Sequence, residues 1–270
     1  MKKIVLACQK GGVAKSTTAY TMAAGLYNDG YKVLMIDTDP QANLSFTAGL
    51  DVASVKNSLY DVFKGTIPID EAINNSRIGF DIVTGGLNMV SADMEFTQTG
   101  REYMLKESIG SIESEYDYCI IDTAPHMGIL TINALTAADS VIIPITADIY
   151  ALMGLTQLKG IIDSVKRYSN HNLRISGLLL TKYKGTNANK AMMTQAEHIA
   201  DSFGTILYKT TIREATAIQE SQILQSDIFA ESAKAGVTQD YKAFLKEFLE
   251  SEGEAMASKN RLDQAAGASI

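Results

Sequence analysis

Cysteine is scarce in this chain, and the scarcity excludes two chemistries. Cys8 and Cys119, the only two, cannot build a disulfide scaffold or a four-cysteine metal site. Both stand in apolar stretches, where a small buried thiol is the ordinary outcome. Long apolar runs are missing as well. No stretch approaches the roughly 18 residues of a membrane span, and MKKIVLACQKGG at the N-terminus has too short an apolar run for a secretory signal. A cytoplasmic protein is expected. With four prolines in 270 residues, no Pro-rich or Ser-rich linker divides the chain, and no internal repeat is visible. Basic residues are outnumbered, 24 Lys and Arg against 31 Asp and Glu, for a net charge of −7. That balance excludes a surface coated all over with positive charge but leaves room for a local basic patch. Apolar residues, at 46%, are plentiful enough for a sizeable core.

A short apolar run followed by an amphipathic segment recurs along the chain. Strands are predicted at Ile4–Ala7, Val33–Ile36, Phe80–Val83, Tyr118–Ile121, Val141–Ile145, Ile175–Leu180 and Thr205–Tyr208. Several are apolar at consecutive positions, as strands buried on both faces must be. Between them, Ala19, Met22, Ala23 and Leu26 share one helical face that Gly30 is placed to end. Leu155, Leu158, Ile162 and Val165 form a second stripe, and Tyr241, Phe244, Leu245, Phe248 and Leu249 a third. The alternation predicts an α/β fold: a mostly parallel central sheet with helices on both faces, in a single domain over residues 1–250. Residues 251–270 lose the periodicity and are rich in small side chains, so a flexible C-terminal tail is expected there.

The most informative stretch is Cys8-Gln9-Lys10-Gly11-Gly12-Val13-Ala14-Lys15-Ser16-Thr17-Thr18, which follows an apolar strand and opens a helix. In that setting backbone N–H groups converge on an anion and the helix N-terminus adds a positive partial charge. Gly11 and Gly12 let the backbone come close, Lys15 neutralises phosphate oxygens, and the Ser16 hydroxyl suits Mg²⁺. The ordinary phosphate-loop pattern is not met, because Gln9 and Ala14 occupy its two glycine positions. A chance Gly-Gly turn with two surface lysines is the bland alternative. Two acidic segments count against it. Asp37 and Asp39 follow the run Val33–Ile36, and Asp122 follows Tyr118–Ile121. In an open parallel sheet ligands bind beyond the carboxyl ends of the strands, so these acids should converge on the loop. A single such Asp is often only a cap or turn residue; three with a lysine-rich Gly turn indicate a Mg²⁺-nucleotide site.

Together, K-G-G-x-x-K-S from Lys10, D-T-D-P-Q at 37–41 and I-I-D-T-A-P at 120–125 resemble the ParA/MinD family of deviant Walker-A, P-loop NTPases. L-T-I-N-A-L-T-A-A-D-S-V-I-I-P at 130–144 and Tyr150-Ala151-Leu152 resemble its partition branch. The resemblance covers about residues 2 to 250. It implies an ATPase using ATP and Mg²⁺, with Lys10, Lys15 and Asp39 as catalytic groups. Lys10 would reach across a sandwich homodimer to the partner's phosphates, and Asp39 would position the attacking water. Lys10, Gly11, Gly12, Val13, Ala14, Lys15, Ser16 and Thr17 would contact the nucleotide, and Ser16, Asp37 and Asp122 the metal. Thr181, Lys182 and Tyr183 are candidates for the adenine. A second switch segment would run from Asp122 through Pro125 to Gly128. Phosphoryl transfer asks mainly for positioning and for neutralising spread charge, which suits this set. Departures from the family pattern are Ala14, tolerable if the backbone there is helical and otherwise expected to weaken phosphate affinity, and Ala124 and His126 in the second switch. His126 as a general base is a minor alternative.

Charge is unevenly placed. Residues 159–190 hold Lys159, Lys166, Arg167, Arg174, Lys182, Lys184 and Lys190 against Asp163 alone. Lys159, Lys166 and Arg167 read as a solvated helix face. The loop T-K-Y-K-G-T-N-A-N-K, with no acid to pair, reads as a phosphate-backbone contact. Lys182, Lys184, Lys190 and Arg213 are therefore the expected contacts to non-specific double-stranded DNA, and nucleoid association and a ParB-like centromere-binding partner are implied by the resemblance. Too few residues precede the first strand for a winged-helix extension, so operator-specific repression is not expected. The competing reading is a related ATPase positioning a non-DNA cargo, such as a protein assembly or a membrane-associated complex; the tail lacks the basic amphipathic face that membrane attachment needs. A tyrosine-kinase relative would need a tyrosine-rich tail, yet no Tyr follows Tyr241. A relative with a bridging iron–sulfur cluster would need cysteines outside the strands.

Overall fold

The computed structural model describes the backbone of residues 1–267 and the side chains up to residue 253, that of Met153 excepted. Seven strands form one sheet: β1 (Lys2–Leu6), β2 (Val33–Asp37), β3 (Ile73–Asn75), β4 (Asp81–Val83), β5 (Tyr118–Asp122), β6 (Ser140–Thr146) and β7 (Arg174–Thr181), in the order β3-β4-β2-β5-β1-β6-β7. All neighbours pair in parallel except the edge strand β3, which runs antiparallel to β4. The helices are α1 (Lys15–Asn28), α2 (Asn43–Thr47), α3 (Leu59–Phe63), α4 (Ala92–Glu95), α5 (Met104–Gly110) and α6 (Ile129–Ala137) in the first half. They continue with α7 (Ile149–Tyr168), α8 (Asn187–Ser202), α9 (Thr216–Ile223), α10 (Ile228–Glu231) and α11 (Gly236–Gly267).

Alternation along the strands feeds two cores. Val5, Leu34, Ile36 and Ile121 enter one, with Ile129, Leu135, Leu155, Leu158 and Ile162 from α6 and α7. Ile4, Leu6, Met35 and Ile120 enter the other, with Ala19, Met22, Ala23 and Leu26 of α1 and Tyr241, Phe244, Leu245 and Phe248 of α11. Each fully buried large aliphatic contributes about 1.5–3 kcal/mol relative to exposure, so the consecutive apolar runs are the main reason these strands lie between two helical layers. Gly25 lets α11 lie close on α1, since a Cβ there would collide with Leu245.

The parallel sheet and both helical layers agree with the sequence pattern, while three details differ. β3 carries only Ile-Asn-Asn and is half-buried, so no apolar run announces it. Thr205–Tyr208 makes a single bridge, Leu207 with Leu178, not a strand. Its ladder stops because the next N–H groups, of Lys209 and Thr210, turn to the Glu247 carboxylate. The boundary expected at residue 251 falls inside α11, where Glu252 is buried and paired with Lys2 and Arg174. Residues 268–270 of the expected tail lie outside the described residues. Both cysteines are buried, although Cys8 sits just beyond β1 and not within it.

Candidate nucleotide site

The site grows from the carboxyl ends of β1, β2 and β5. Register decides its geometry: Asp122 is the Cα partner of both Leu6 and Asp37, so three strands end level and two acids stand side by side. Threonine hydroxyls stitch the ends together. Thr38 donates to Asp122 O (2.8 Å), Thr123 to Leu6 O (2.8 Å) and Thr181 to Val13 O and Ile145 O (3.0 Å each). Thr181 therefore holds the phosphate loop in place from beneath.

Between β1 and α1 the backbone turns through Gly12 (φ 75°) and Ala14 (φ 58°, ψ 32°), both left-handed. The condition for tolerating Ala14 without cost, helical backbone, is not met: it is the residue before the helix, in a conformation that costs an L side chain about 1–2 kcal/mol. No side chain caps α1 and no acid occupies its first turn, which leaves its first amides for an anion. A cavity of about 400 Å³ opens there. Lys10, Gly12, Ala14, Lys15, Ser16, Thr17, Asp39, Asn43 and Pro125 line one end. Lys182, Ile212, Arg213, Glu214, Ala215, Ile218, Gln219, Gln222 and Tyr241 line the other. The cavity's volume, with phosphate-loop residues in one part of the lining and Ile212, Ala215 and Ile218 in another, suits a triphosphate and its base.

The acids differ in what they are free to do. The buried Asp37 carboxylate accepts from Ser45 N (3.0 Å), Ser45 Oγ (2.8 Å) and Asp39 N (3.0 Å). Asp37 thus braces the loop that carries Asp39, and as an expected metal ligand it would have to use the acceptor capacity that these three bonds leave. Asp39 faces the cavity, with one oxygen accepting from Gln41 N at 2.9 Å. Asp122 is wholly buried; the Ser16 hydroxyl and the Thr123 amide are its polar neighbours, but neither makes a well-formed hydrogen bond to a carboxylate oxygen. Burial pushes the carboxyls of Asp37 and Asp122 well above the ordinary range; the Asp122 charge raises Asp37 further, while the Lys15 ammonium pulls Asp122 partly back. An orphaned, buried carboxylate beside Lys15 and Ser16 fits a hydrated cation bridging protein and phosphate.

Lys10 does not point into empty space. Its Nζ donates to Asp148 Oδ2 (2.6 Å) and Thr146 Oγ1 (3.3 Å). The other Asp148 oxygen caps α7 by accepting from Ala151 N at 3.0 Å. Burial pushes the Asp148 carboxyl up, but the hydrogen bonds from Lys10, Thr146 and Ala151 together outweigh it and hold the group below its ordinary value.

The second half of the sequence-based assignments is redistributed. Of the three adenine candidates only Lys182 lines the cavity; Thr181 is buried beneath it, and Tyr183 pairs its backbone with the Arg213 segment. Two of the four expected DNA contacts are already neutralised. Lys184 pairs with Glu214 at 2.9 Å, and Arg213 holds Asp240 through Nε and Nη2 at 2.7 and 2.8 Å. Lys182 and Lys190 are exposed, with no ion pair among the described residues.

A family model described as an AAA domain matches residues 1–175. The chromosome partitioning protein ParA of Caulobacter vibrioides is 32% identical over 261 residues, covering 95% of this chain and 97% of that one. The chain belongs to the ParA/MinD family of P-loop ATPases. The sporulation initiation inhibitor protein Soj of Bacillus subtilis is 35% identical over 223 residues, 82% of this chain and 87% of its own. A Mycobacterium smegmatis structure titled as cobyrinic acid a,c-diamide synthase, with bound ADP and magnesium, superposes with a TM-score of 0.78 at 28% identity, covering 94% of this chain and 97% of that chain.

Membership fits the donor set. Lys15, Ser16 and the first amides of α1 would hold the phosphates, and Ser16 with Asp122, through water, the magnesium; the metal supplies charge neutralisation between phosphate oxygens. Sequence reasoning pointed to the segment near Ile212 and Arg213 but missed Asp148, Asn43, Ala215, Ile218, Gln219 and Gln222. Gln222 Nε2 reaches Thr17 Oγ1 at 3.2 Å. Asp148 alone carried a signal, standing two residues before the Tyr150-Ala151-Leu152 motif in an N-cap position.

Proposed function

We propose that this chain is a partition ATPase whose ATP-bound form is a sandwich homodimer that binds non-specific DNA. A centromere-binding partner of the ParB kind stimulates hydrolysis and release, so that the cycle moves or positions a DNA cargo. The observation that carries the reading is the cavity itself: Lys15 and Ser16 beside the unpartnered Asp122 carboxylate, with Asp39 at the mouth and a second lysine held nearby.

The dimer draws support from the loops around that mouth. Leu87, Val90 and Met94 beyond β4, and Ile149 and Tyr150 beyond β6, are exposed large apolar side chains. They follow parallel strands on either side of β5 and β1, so they share the edge of the sheet that carries the phosphate loop. A second copy set against this edge would cover them, and Lys10 would leave Asp148 for its partner's phosphates. DNA contacts would centre on Lys182 and Lys190, with Lys184 and Arg213 contributing after exchange from Glu214 and Asp240. Weakly specific, steeply salt-dependent binding is the expected mode.

The test is DNA retention by the whole chain with ATP, with ADP, and with ATP for Lys15→Ala. Retention only by the unaltered chain with ATP is expected, and equal retention in all three states refutes the reading. The neutralised Lys184 and Arg213 favour one alternative, an ATPase of the same design positioning a protein assembly or membrane-associated complex. In that case the ATP-dependent dimer forms but DNA is not retained.

A further inference from the structure

The loop after Asp122 is held at its far end by a residue from elsewhere in the chain. Asp93, on α4, accepts from Ile129 N through Oδ1 at 2.6 Å, and its Oδ2 lies 3.1 Å from His126 Nε2. The helix it caps, α6, has no capping side chain of its own, because its N-cap residue is Gly128. Gly128 is what lets the carboxylate in: a Cβ there would collide with both Asp93 oxygens, although the Gly128 backbone (φ −94°, ψ −165°) is open to any residue. Asp93 is itself anchored. Ala92 and Phe96 on either side of it are buried, and Glu95 accepts from Tyr60 Oη and Lys64 Nζ, each at 2.8 Å.

At its near end the same loop is fixed by Thr123, whose hydroxyl donates to Leu6 O. Between the two anchors lie Ala124–Met127, including Pro125 on the cavity wall. We propose that Asp93 is a positioning residue for ATP hydrolysis: by capping α6 from outside the helix it fixes the loop that joins the buried Asp122 to the cavity wall. The proposal rests on the reading of the cavity as a Mg²⁺-ATP site. ADP binding depends on the loop between β1 and α1 and on the base end, which Asp93 does not touch. The step that requires a fixed second loop is turnover.

The experiment uses the full chain and four variants: Asp93→Ala, Asp93→Asn, Gly128→Ala and the double variant Asp93→Ala with Gly128→Ala. Gly128→Ala evicts the carboxylate without altering it, so it should reproduce Asp93→Ala. Without nucleotide, hydrogen exchange at the Ile129 amide should quicken by about fivefold in both, the usual consequence of losing a cap. With Mg²⁺-ATP, kcat should fall by a similar factor while ADP affinity stays within twofold. Asp93→Asn, which keeps an acceptor for Ile129 N, should restore most of both. The double variant should be no worse than either single one, because both remove the same contact. Exchange and kcat within twofold of the unaltered chain in both single variants overturn the proposal, as do losses that multiply in the double variant. Since the exchange measurement needs no nucleotide, an unaltered chain that failed to hydrolyse ATP would sink the functional reading, and the clamp would be judged on exchange alone.

Discussion

At the scale of single residues, the phosphate loop carries its own strain. Ala14 occupies a left-handed conformation that glycine adopts without cost. Replacing it with glycine removes that cost but frees the unfolded chain, so Ala14→Gly should stabilise the protein by about 1 kcal/mol, seen as a rise of roughly 2 °C in Tm. A fall in Tm would show that the methyl group makes a compensating contact. The identity of Ala14 was plain in the sequence, but its dihedral angles were not, because an eight-residue loop takes its path from the strand and helix that bound it. Asp37 and Asp122 were legible as neighbours from strand ends alone. Their division of labour was not, since it depends on Ser45 arriving from α2. Burial raises both carboxyls in the native chain, so between their ordinary value near ~4 and the raised native values the folded state binds more protons than the unfolded one. Stability of the metal-free, nucleotide-free chain should accordingly decline from about pH 4 to about pH 7, and Mg²⁺-ATP, which favours the charged form, should flatten the decline. Urea midpoints across that range test this, and a slope unchanged in Asp122→Asn would assign it to other groups.

At the scale of elements, apolar periodicity recovered the six long or buried strands and the helices α1, α7 and α11, because burial on both faces leaves a mark on composition, but it missed α8, whose first turn holds Lys190 in what reads as a loop. It failed where polar groups decide. β3 exists through pairing with β4, and Thr205–Tyr208 stops short of being a strand because Glu247 captures two of its following amides. The C-terminal helix outlasts its apolar stripe for a similar reason. Glu252 is buried against Lys2 and Arg174 and also accepts from Ser176 Oγ at 3.2 Å. That anchor ties α11 to the starts of β1 and β7, and no hydrophobic pattern encodes it. Both cations are partly exposed and can regain water when the carboxylate is lost, so Glu252→Ala should destabilise by about 2 kcal/mol, below the usual cost of breaking a fully buried pair. Chemical denaturation measures it, and a loss under about 0.5 kcal/mol would mean that packing alone holds the helix.

At the scale of the whole molecule, the proposed balance between one copy and two would turn on Lys10. Held by Asp148 within its own chain, the lysine would have to exchange one carboxylate for a phosphate across the interface of the proposed sandwich dimer. A partly exposed pair of this kind is worth up to about 1 kcal/mol, and two are broken per dimer, so Asp148→Asn should tighten dimerisation by up to about thirtyfold. The asparagine retains an acceptor for Ala151 N and so keeps the cap on α7. Sedimentation velocity with a non-hydrolysable ATP analogue reads the constant, and a value unchanged from the natural chain would mean that the internal pair does not oppose assembly. The lysine motif was legible in the sequence; its resting partner, 138 residues away, was not.

The contact between Lys2 and Glu252 also has a practical side. It joins the beginning of the first strand to the last helix at the pole where strands start, whereas the cavity opens where they finish. A fluorophore or surface tether attached at Met1 would therefore hold the molecule by its back, leaving the catalytic mouth and any arriving second copy unobstructed for single-molecule observation.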